Sequence, residues 1–207
     1  MPIVLVANPK GGVGKSTLST NIAGLYASKG FNVMLGDTDR QQSARHWLNL
    51  RPESVRKIQT WEIDADNIAR PPKGVSHVVL DSPAGVHGWR LKELLRMVNK
   101  VVVPLQPSMF DILATQQFLQ ELREEKLVRS HEVDVAVIGM RVDARTRAAE
   151  QLHRFVDQLG LPVLSYLRDT QNYVQLAAHG LTLFDVAPSR VEKDLAQWDA
   201  MIPWLLK

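Results

Sequence analysis

The sequence has no cysteine among its 207 residues. This absence excludes disulfides, thiolate zinc sites, iron–sulfur clusters and cysteine nucleophiles. No stretch approaches the roughly 20 apolar residues that a membrane-spanning helix needs. The chain passes from Met1 and Pro2 directly into the apolar run 3–7, which is too short for a signal peptide and has no basic segment before it. We therefore expect a soluble, cytoplasmic protein.

Neither sign of charge dominates, because 25 lysines and arginines face 22 aspartates and glutamates, for a formal net charge of +3. Such an excess permits contact with a polyanion but does not indicate one. The densest basic segment, 40–57, is predicted to be a solvated helix and loop. The six histidines show no metal-ligand spacing and predict no metal site.

Six apolar runs recur along the chain and indicate β-strands, at 3–7, 33–35, 75–80, 101–105, 133–138 and 161–164. Several are nearly continuous valine, isoleucine and leucine, which is typical of strands covered on both faces. Helical patterns lie between them. The order predicts an α/β fold with a mostly parallel central sheet flanked by helices on both faces.

Three helical patterns end at a glycine, which is favoured just past a helix C-terminus: 17–29 before Gly30, 147–159 before Gly160 and 169–179 before Gly180. Ser108, with Asp111 three residues on, predicts the start of a helix that reaches about residue 127. The pattern 191–206 predicts one terminal helix. Because 70–74 has the composition of a surface loop and no linker is present, we expect one domain over 1–207.

A glycine-rich loop follows the first predicted strand and precedes the first predicted helix, which is the context of a phosphate loop. Its glycines let successive backbone N–H groups point at phosphate oxygens beside a helix N-terminus. Lys15 is predicted to reach the β- and γ-phosphates, Ser16 to bind Mg²⁺ and Thr17 to lie near the α-phosphate. The predicted ATP-binding residues of this loop are Lys10, Gly11, Gly12, Val13, Gly14, Lys15, Ser16 and Thr17.

Carboxylates follow two of the predicted strands. Asp37 and Asp39 close the second, at the sheet edge where open α/β sheets bind ligands. Asp81 comes directly after the wholly apolar third strand, as a Walker B aspartate does when it holds Mg²⁺ through water. The sequence therefore predicts a MgATP site with Ser16 and Asp81 at the metal and with Asp37 and Asp39 at the same sheet edge.

The loop departs from the common P-loop pattern, because Pro9 stands where that pattern has glycine and Lys10 follows it. The segment from Lys10 to Ser16 resembles the deviant Walker A motif of the ParA/MinD family of P-loop NTPases. In that family the resemblance implies that Lys10 crosses a dimer interface and touches the ATP phosphates of the partner. A cation supplied in this way is similar to an arginine finger, a contact worth about 10³ to 10⁵ in rate.

The resemblance extends to the carboxylates. It implies that Asp39 positions or deprotonates the attacking water, which makes Lys10, Lys15 and Asp39 the predicted catalytic residues, and that Asp37 lies near the Mg²⁺ shell. Arg40 stands where relatives commonly have proline. The segment 82–85 looks like the family's switch loop. Trp89 after it belongs either to the switch or to the core, and the core is favoured.

Weaker similarity to ParA proteins covers the rest of the chain, through 103–108, 168–173 and Gly180. Many relatives carry asparagine after the fifth strand, where this chain has Met140 and Arg141, so no adenine-binding residue is assigned. Because the phosphate loop begins by residue 8, we expect the small form of the family, without an N-terminal helix-turn-helix.

The resemblance implies a slow ATPase that dimerises on ATP, binds nonspecific DNA and partitions or positions a plasmid, a chromosome region or a protein cargo. A ParB-like protein or another adaptor would stimulate it, and the ATP-bound form would be nucleoid-associated. Nonspecific binding needs only a few cations on the dimer. The candidate DNA contacts are Arg145, Arg147, Arg154, Arg168, Arg190 and Lys193.

Two other readings stay open. A MinD-like membrane-surface switch is suggested by an apolar stripe at helical spacing, formed by Val191, Leu195, Trp198, Ile202 and Leu205. This stripe has no basic polar face and is interrupted by Pro203, so packing onto the domain is favoured and no stable membrane association is expected. A metabolic ligase or kinase on the same scaffold is the second reading, whereas a nitrogenase-type reductase is excluded because it needs thiolates.

Overall fold

A computed structural model describes residues 1–207. Its centre is a sheet of six strands: β1 Ile3–Val6, β2 Val33–Asp37, β3 His77–Asp81, β4 Lys100–Leu105, β5 Asp134–Gly139 and β6 Val163–Tyr166. The strands lie in the order β2-β3-β1-β4-β5-β6, and every neighbouring pair is parallel. The six predicted strands are thus confirmed, and the sheet is wholly rather than mostly parallel.

Nine α-helices connect or follow the strands. They are α1 Lys15–Ser28, α2 Ser43–Leu50, α3 Gly88–Leu95, α4 Met109–Glu124, α5 Lys126–Arg129, α6 Arg147–Leu159, α7 Gln171–Ala177, α8 Pro188–Leu195 and α9 Ile202–Leu206. A 3₁₀ turn, Leu183–Asp185, lies between α7 and α8.

Apolar cores lie on both faces of the sheet. Successive side chains of a strand point to opposite faces, and accordingly Val4 and Val6 enter one core while Leu5 enters the other. The first core packs against α1, α2 and the C-terminal helices, and the second against α3, α4 and α6. This two-sided burial explains why the strands are continuously apolar and confirms the predicted layers.

The strand order reverses direction at β1. The chain leaves β1 for β2 on one side of the sheet and later crosses to β4 on the other side. In open parallel sheets a ligand cleft forms at the carboxyl ends of the strands at such a switch point. Asp37 and Asp81 are register partners in neighbouring strands, so both carboxylates lie at this edge.

Helix ends agree with the three predicted glycines, and Gly180, in the turn after α7, has φ of 67°. Gly30 follows α1 with φ of 86°, and Gly160 ends α6 with φ of 59°, a left-handed conformation that a side chain disfavours. The helix predicted from Ser108 is divided, because Glu125 is extended (ψ 134°) between α4 and α5. Ser108 precedes α4 as predicted, but its side chain makes no capping hydrogen bond.

The single terminal helix predicted over 191–206 is wrong. The chain forms α8, a turn over 196–201 and then α9. Proline in a helix interior lacks an N–H donor and clashes with the preceding turn, whereas it is tolerated in the first turn. Pro203 stands in the first turn of α9, so the helix restarts there instead of continuing.

The C-terminal apolar stripe is part of the core. Val191, Trp198 and Leu205 are buried, and Leu195 and Ile202 pack against the same core. The Tyr26 hydroxyl also donates to the Leu205 carbonyl (2.8 Å). The stripe thus packs onto the sheet's helical layer, and none of the helices has the length and apolar character required to cross a bilayer.

The prediction that Trp89 belongs to the core is also wrong, because its side chain is 68% exposed. It lies on α3, a helix that the sequence patterns did not predict. The buried residues of α3 are Leu91, Leu94 and Leu95, which share one face. Trp89 precedes Leu91 by two residues and therefore lies on the opposite side.

Candidate functional site

The glycine-rich loop joins β1 to α1 at the centre of the sheet edge. Gly12 and Gly14 have φ of 76° and 94°, values that other residues rarely adopt. A Cβ on Gly14 would also lie 2.8 Å from Met140 Cε, so the loop passes too close to this methionine for a larger residue. Gly11 and Gly12 have open space where a Cβ would be, as a surface that receives a ligand requires.

Lys15 is held inside the loop. Its side chain is buried and its Nζ donates to the Lys10 carbonyl (2.7 Å). Burial lowers the pKa of Lys15, while the charges of Asp81 and Asp39 oppose that shift. The ammonium is thus positioned by one backbone contact and by the charges of two nearby carboxylates.

Asn8 anchors the start of the loop, a role that the sequence patterns did not predict. It is fully buried, and its Nδ2 donates to the Pro104 carbonyl (2.8 Å) and to Thr115 Oγ1 (2.9 Å). Its Oδ1 accepts from the backbone N–H of Lys10 (2.9 Å). A polar side chain directly after a buried strand was the available signal. Asn8 therefore fixes the loop to β4 and α4.

Asp81 lies beneath the loop at the end of β3. Its Oδ1 accepts from the Ser19 hydroxyl (3.1 Å). Burial raises the pKa of Asp81 to about 7, and the nearby charge of Asp37 adds to the rise. Hydrogen bonds from Ser16 and Ser19 and the charge of Lys15 lower it again. A buried carboxylate beside the Ser16 hydroxyl has the chemistry of a cation site.

Asp37 is hydrogen-bonded to the backbone that follows β2. Its Oδ1 accepts from the Asp39 backbone N–H (2.9 Å), and its Oδ2 accepts from Ala44 (2.8 Å) at the start of α2. Burial raises the pKa of Asp37, and these backbone hydrogen bonds oppose the rise. Asp37 thus orients the loop that carries Asp39, and its place near a metal stays a prediction.

Asp39 faces the cleft above these buried groups. Its Oδ1 accepts from the Gln41 backbone N–H (3.0 Å), which holds the carboxylate in a tight turn. The preceding residue, Thr38, is buried and donates its hydroxyl and its N–H to the Asp81 carbonyl (both 2.9 Å). The chain that presents Asp39 is therefore tied to β3.

Lys10 points away from the cleft of its own chain. Its side chain is 41% exposed, and its Nζ lies 3.8 Å from Asp111 Oδ1 on α4. It does not line the cleft that its neighbours Gly11 and Gly12 enclose. Asp111 is thus a partner of Lys10 rather than of the Ser108 cap.

A cleft of about 610 Å³ opens over the loop, and its walls are mainly polar. It brings together Gly11, Gly12, Gly14, Lys15, Ser16, Thr17 and Asp39 of the predicted site. Val13, Asp37 and Asp81 are buried next to it and do not line it, and Lys10 is outside it. Its other lining residues are Arg40, Gln41, Ser43, Ala65, Ser82, Pro83, Ala84, Arg90 and Arg141.

The switch-like segment forms one wall of the cleft and contacts the loop directly. The N–H of Gly85 donates to the Pro9 carbonyl (2.8 Å), and the N–H of Ser82 donates to the Val6 carbonyl (3.3 Å). The Gly85–Pro9 hydrogen bond thus ties the segment that leads into α3 to the phosphate loop.

A second pocket of about 270 Å³ adjoins the other end of the loop and shares Gly14, Thr17 and Arg141 with the main cleft. Arg141 has φ of 54°, a left-handed conformation, and its Nε lies 4.0 Å from Asp169 Oδ1. Tyr173, Thr170, Arg168 and Met140 also line it. The cleft thus has a phosphate-loop end and a second end at Arg141.

The residues present fit a Mg²⁺ ion that is bound together with a nucleotide. No group of three or more His, Asp or Glu side chains could hold a metal ion alone. Mg²⁺ usually binds through one or two protein oxygens plus phosphates and waters. Ser16 and Asp81 supply one hydroxyl and one carboxylate, which is the protein share of such a site.

Comparison with known sequences also indicates a nucleotide-binding domain. The family described as CobQ/CobB/MinD/ParA nucleotide binding domain matches residues 4–183. The chain is 26% identical over 187 residues to maintenance of carboxysome distribution protein A of Halothiobacillus neapolitanus, covering 87% of this chain and 86% of that one. It is 28% identical over 157 residues to protein ParA of Rhizobium radiobacter, covering 72% and 69%.

Solved structures of similar fold include apo McdA of Cyanothece, with a TM-score of 0.77 at 14% identity and full coverage of both chains (100% and 100%). The MinC:MinD cell division protein complex of Aquifex aeolicus gives 0.76 at 16% identity, covering 100% and 97%. At such identities these structures bear on the fold alone. With the family match spanning most of the sequence, the chain belongs to the CobQ/CobB/MinD/ParA nucleotide-binding family.

Proposed function

We propose that this protein is an ATP hydrolase that dimerises when it binds ATP and uses this cycle to partition or position a cargo. The nucleotide part of the proposal rests on the cleft, which combines a glycine loop, a helix N-terminus and the buried ammonium of Lys15. These groups are complementary to a polyphosphate. Asp39 lines the same cleft, and we assign the attacking water to its carboxylate.

The residues divide the work of hydrolysis among them. Lys15 and the loop N–H groups would hold the β- and γ-phosphates, and Asp39 would orient or deprotonate the attacking water. Ser16 and Asp81 would hold Mg²⁺, which neutralises developing charge on the phosphates when bound. Thr17 lies at the junction of the two pockets, next to the expected α-phosphate.

Lys10 is the observation that favours a dimer over a monomeric enzyme. Its ammonium projects away from its own cleft, although it stands in the phosphate loop. A cation so placed serves a neighbouring molecule better than its own nucleotide. A second chain docked face to face would receive Lys10 at its γ-phosphate, so ATP would hold the dimer together and hydrolysis would release it.

We propose nonspecific DNA as the surface to which the ATP-bound dimer binds. Of the six candidate DNA-contacting residues, two are paired with carboxylates. Arg145 is paired with Asp143 (2.8 Å), and Arg168 is paired with the fully buried Asp194. Both have their charge compensated. The other four candidates are exposed and have no carboxylate within 4 Å: Arg147, Arg154, Arg190 and Lys193.

The cargo class follows from the relatives, whose names refer to carboxysome distribution and to ParA. We infer a plasmid, a chromosome region or a protein assembly as cargo, with a ParB-like protein or another adaptor that stimulates slow hydrolysis. The adaptor would have to reach the switch segment 82–85 or the surface around Lys10, since both adjoin the cleft.

The dimer is tested by analytical ultracentrifugation with ATP, ADP or no nucleotide. Lys10→Ala is compared with Lys126→Ala, a lysine on the distant helix α5. We expect an ATP-dependent dimer for the wild type and for Lys126→Ala, and a monomer for Lys10→Ala that still binds ATP. A monomer under all conditions, or turnover that depends on a small-molecule phosphoryl acceptor, would overturn the proposal.

DNA binding is tested with random duplex DNA and the variant Asp39→Ala, which should bind ATP without hydrolysing it. Each lost phosphate contact is expected to lower the slope of log affinity against log salt by about 0.9. Arg154→Ala and Arg190→Ala should do so, whereas Arg145→Ala should not. Equal affinity for duplex DNA in the presence of ATP and of ADP would contradict ATP-dependent DNA binding.

A further inference from the structure

The main cleft contains four cationic side chains. Two of them are paired with carboxylates, and Lys15 lies near the charges of Asp81 and Asp39. Lys15 donates to a carbonyl of its own loop. Arg40 is paired with Asp66 (3.1 Å) on the exposed rim, and Arg141 lies 4.0 Å from Asp169. The fourth, Arg90, has no carboxylate within 4 Å. It is therefore the cation of the cleft whose charge is least compensated.

Arg90 is also incompletely hydrogen-bonded. Its Nη2 donates to the Ala65 carbonyl, but its Nε is buried and has no partner. A buried guanidinium donor without a partner costs free energy, which a ligand oxygen would recover. The only neighbouring π-system is the exposed ring of Trp89, whose centroid lies 5.7 Å from Arg90 Cζ.

The location of Arg90 connects it to the γ-phosphate end of the cleft. It stands in the first turn of α3, directly after the switch segment, and shares a wall with Ser82, Pro83 and Asp39. Arg90, Asp39 and Ser82 line the main cleft and not the second pocket, which Arg141 shares. Because Asp39 is the residue assigned to the attacking water, we place Arg90 on the terminal-phosphate side of the cleft.

We propose that Arg90 binds the terminal phosphate of ATP from within the same chain and so distinguishes ATP from ADP. This inference rests on the proposed function. A planar guanidinium matches phosphate oxygens through two parallel N–H donors and stabilises charge that grows in the transition state. It would supplement Lys10, which acts from the partner chain, and would couple the γ-phosphate to α3 and the switch segment.

The binding test compares the affinity for AMPPNP with that for ADP, both with Mg²⁺, by calorimetry. Arg90→Gln keeps an amide donor but removes the charge, so the variant should fold. It should lose the preference for AMPPNP over ADP, while its affinity for ADP stays within about twofold of wild type. Arg90→Lys keeps the charge without the fork and should recover part of the preference. Lys92→Ala, an exposed cation on the same helix, is the matched control and should behave as wild type.

Turnover gives a second readout. Removal of one charge-stabilising donor typically lowers kcat by about 10²- to 10³-fold, and we expect that range for Arg90→Gln with a smaller change in KM. The fluorescence of Trp89 should change on binding of AMPPNP and not of ADP. It is obtained by subtracting the tryptophan fluorescence of Trp89→Phe from that of the wild type. The change should be absent in Arg90→Gln.

Two results would overturn the assignment of Arg90. If AMPPNP and ADP affinities fall equally in Arg90→Gln, Arg90 only tethers the Ala65 segment. If Arg90→Gln keeps wild-type selectivity and turnover while Lys15→Ala loses both, the ATPase stands and the role of Arg90 is refuted. Absence of ATP binding by the wild type itself would instead refute the proposed function.

Discussion

The two ends of the cleft are built differently. At the phosphate-loop end, buried polar groups such as Asn8, Asp81 and Ser19 are hydrogen-bonded to one another or to backbone on neighbouring elements. At the other end, Arg141 and Asp169 are 58% and 73% exposed and approach each other only to 4.0 Å. Satisfied buried networks are rigid, whereas exposed pairs contribute little. The phosphate end is thus preorganised, whereas the Arg141–Asp169 pair at the other end is held weakly.

The largest expected effect comes from removing the central cation of the rigid end. Lys15→Ala takes away the ammonium that the loop carbonyl and two carboxylates hold in place. We expect turnover to fall by about 10³-fold, measured as phosphate release. Because the backbone loop stays, the fold should survive, as shown by an unchanged circular dichroism spectrum. Wild-type turnover in this variant would remove the phosphate end from the mechanism.

Asp81→Asn tests whether the buried negative charge of Asp81, at the phosphate end, destabilises the folded protein. The pKa of Asp81 is about 7 in the folded protein against an ordinary 3.8, so folding takes up a proton between these values. This group's contribution to stability is fully present below the ordinary pKa and is lost as pH rises through about 7. The variant, which does not titrate there, should gain stability relative to the wild type between about pH 5 and about pH 8.

Urea unfolding without nucleotide or Mg²⁺ measures that difference. Turnover with MgATP should fall in the same variant, since a neutral amide is a poorer partner for Mg²⁺ than a carboxylate. If the variant and the wild type differ in unfolding free energy by the same amount at about pH 5 and about pH 8, burial of the Asp81 carboxylate does not destabilise the folded protein.

Asn8→Ala probes the anchor of the loop. The substitution leaves the Pro104 carbonyl and the Lys10 N–H without their partner in a buried site, which costs about 1–3 kcal/mol of unfolding free energy. Affinity for ATP should fall as well, because the loop loses its tie to β4. Asn67→Ala, at an exposed asparagine, is the control for denaturant unfolding and calorimetry. An effect no larger than in the control would weaken the contrast between the two ends.

Arg141→Ala should have the smallest effect. Exposed ion pairs contribute about 0–1 kcal/mol, so ATP affinity should change by less than about fivefold. Competition with GTP measures whether this end selects the base. A loss comparable to that in Lys15→Ala would show that the Arg141 end contributes as much to ATP binding as the phosphate end.

The elements that local patterns encode were predictable from sequence. Continuous apolar runs identified all six strands, and the spacing from Lys10 to Thr17 identified the phosphate loop, because both signals lie within a few neighbouring residues. Asn8, Thr38 and Arg90 were missed because their roles depend on partners in distant segments, such as Thr115 for Asn8. The exposure of Trp89 depended on which face of α3 packs, a tertiary choice that the short helix did not reveal.

The central claim is that two chains share each active site through Lys10, and mixing two inactive variants tests it most directly. Lys10→Ala retains its own Asp39, and Asp39→Ala retains its own Lys10. If Lys10 acts on the partner's nucleotide, a mixed dimer contains one complete site, and the mixture should hydrolyse ATP faster than either variant alone. Turnover no higher than that of the separate variants, although ultracentrifugation shows mixed dimers, would contradict the account.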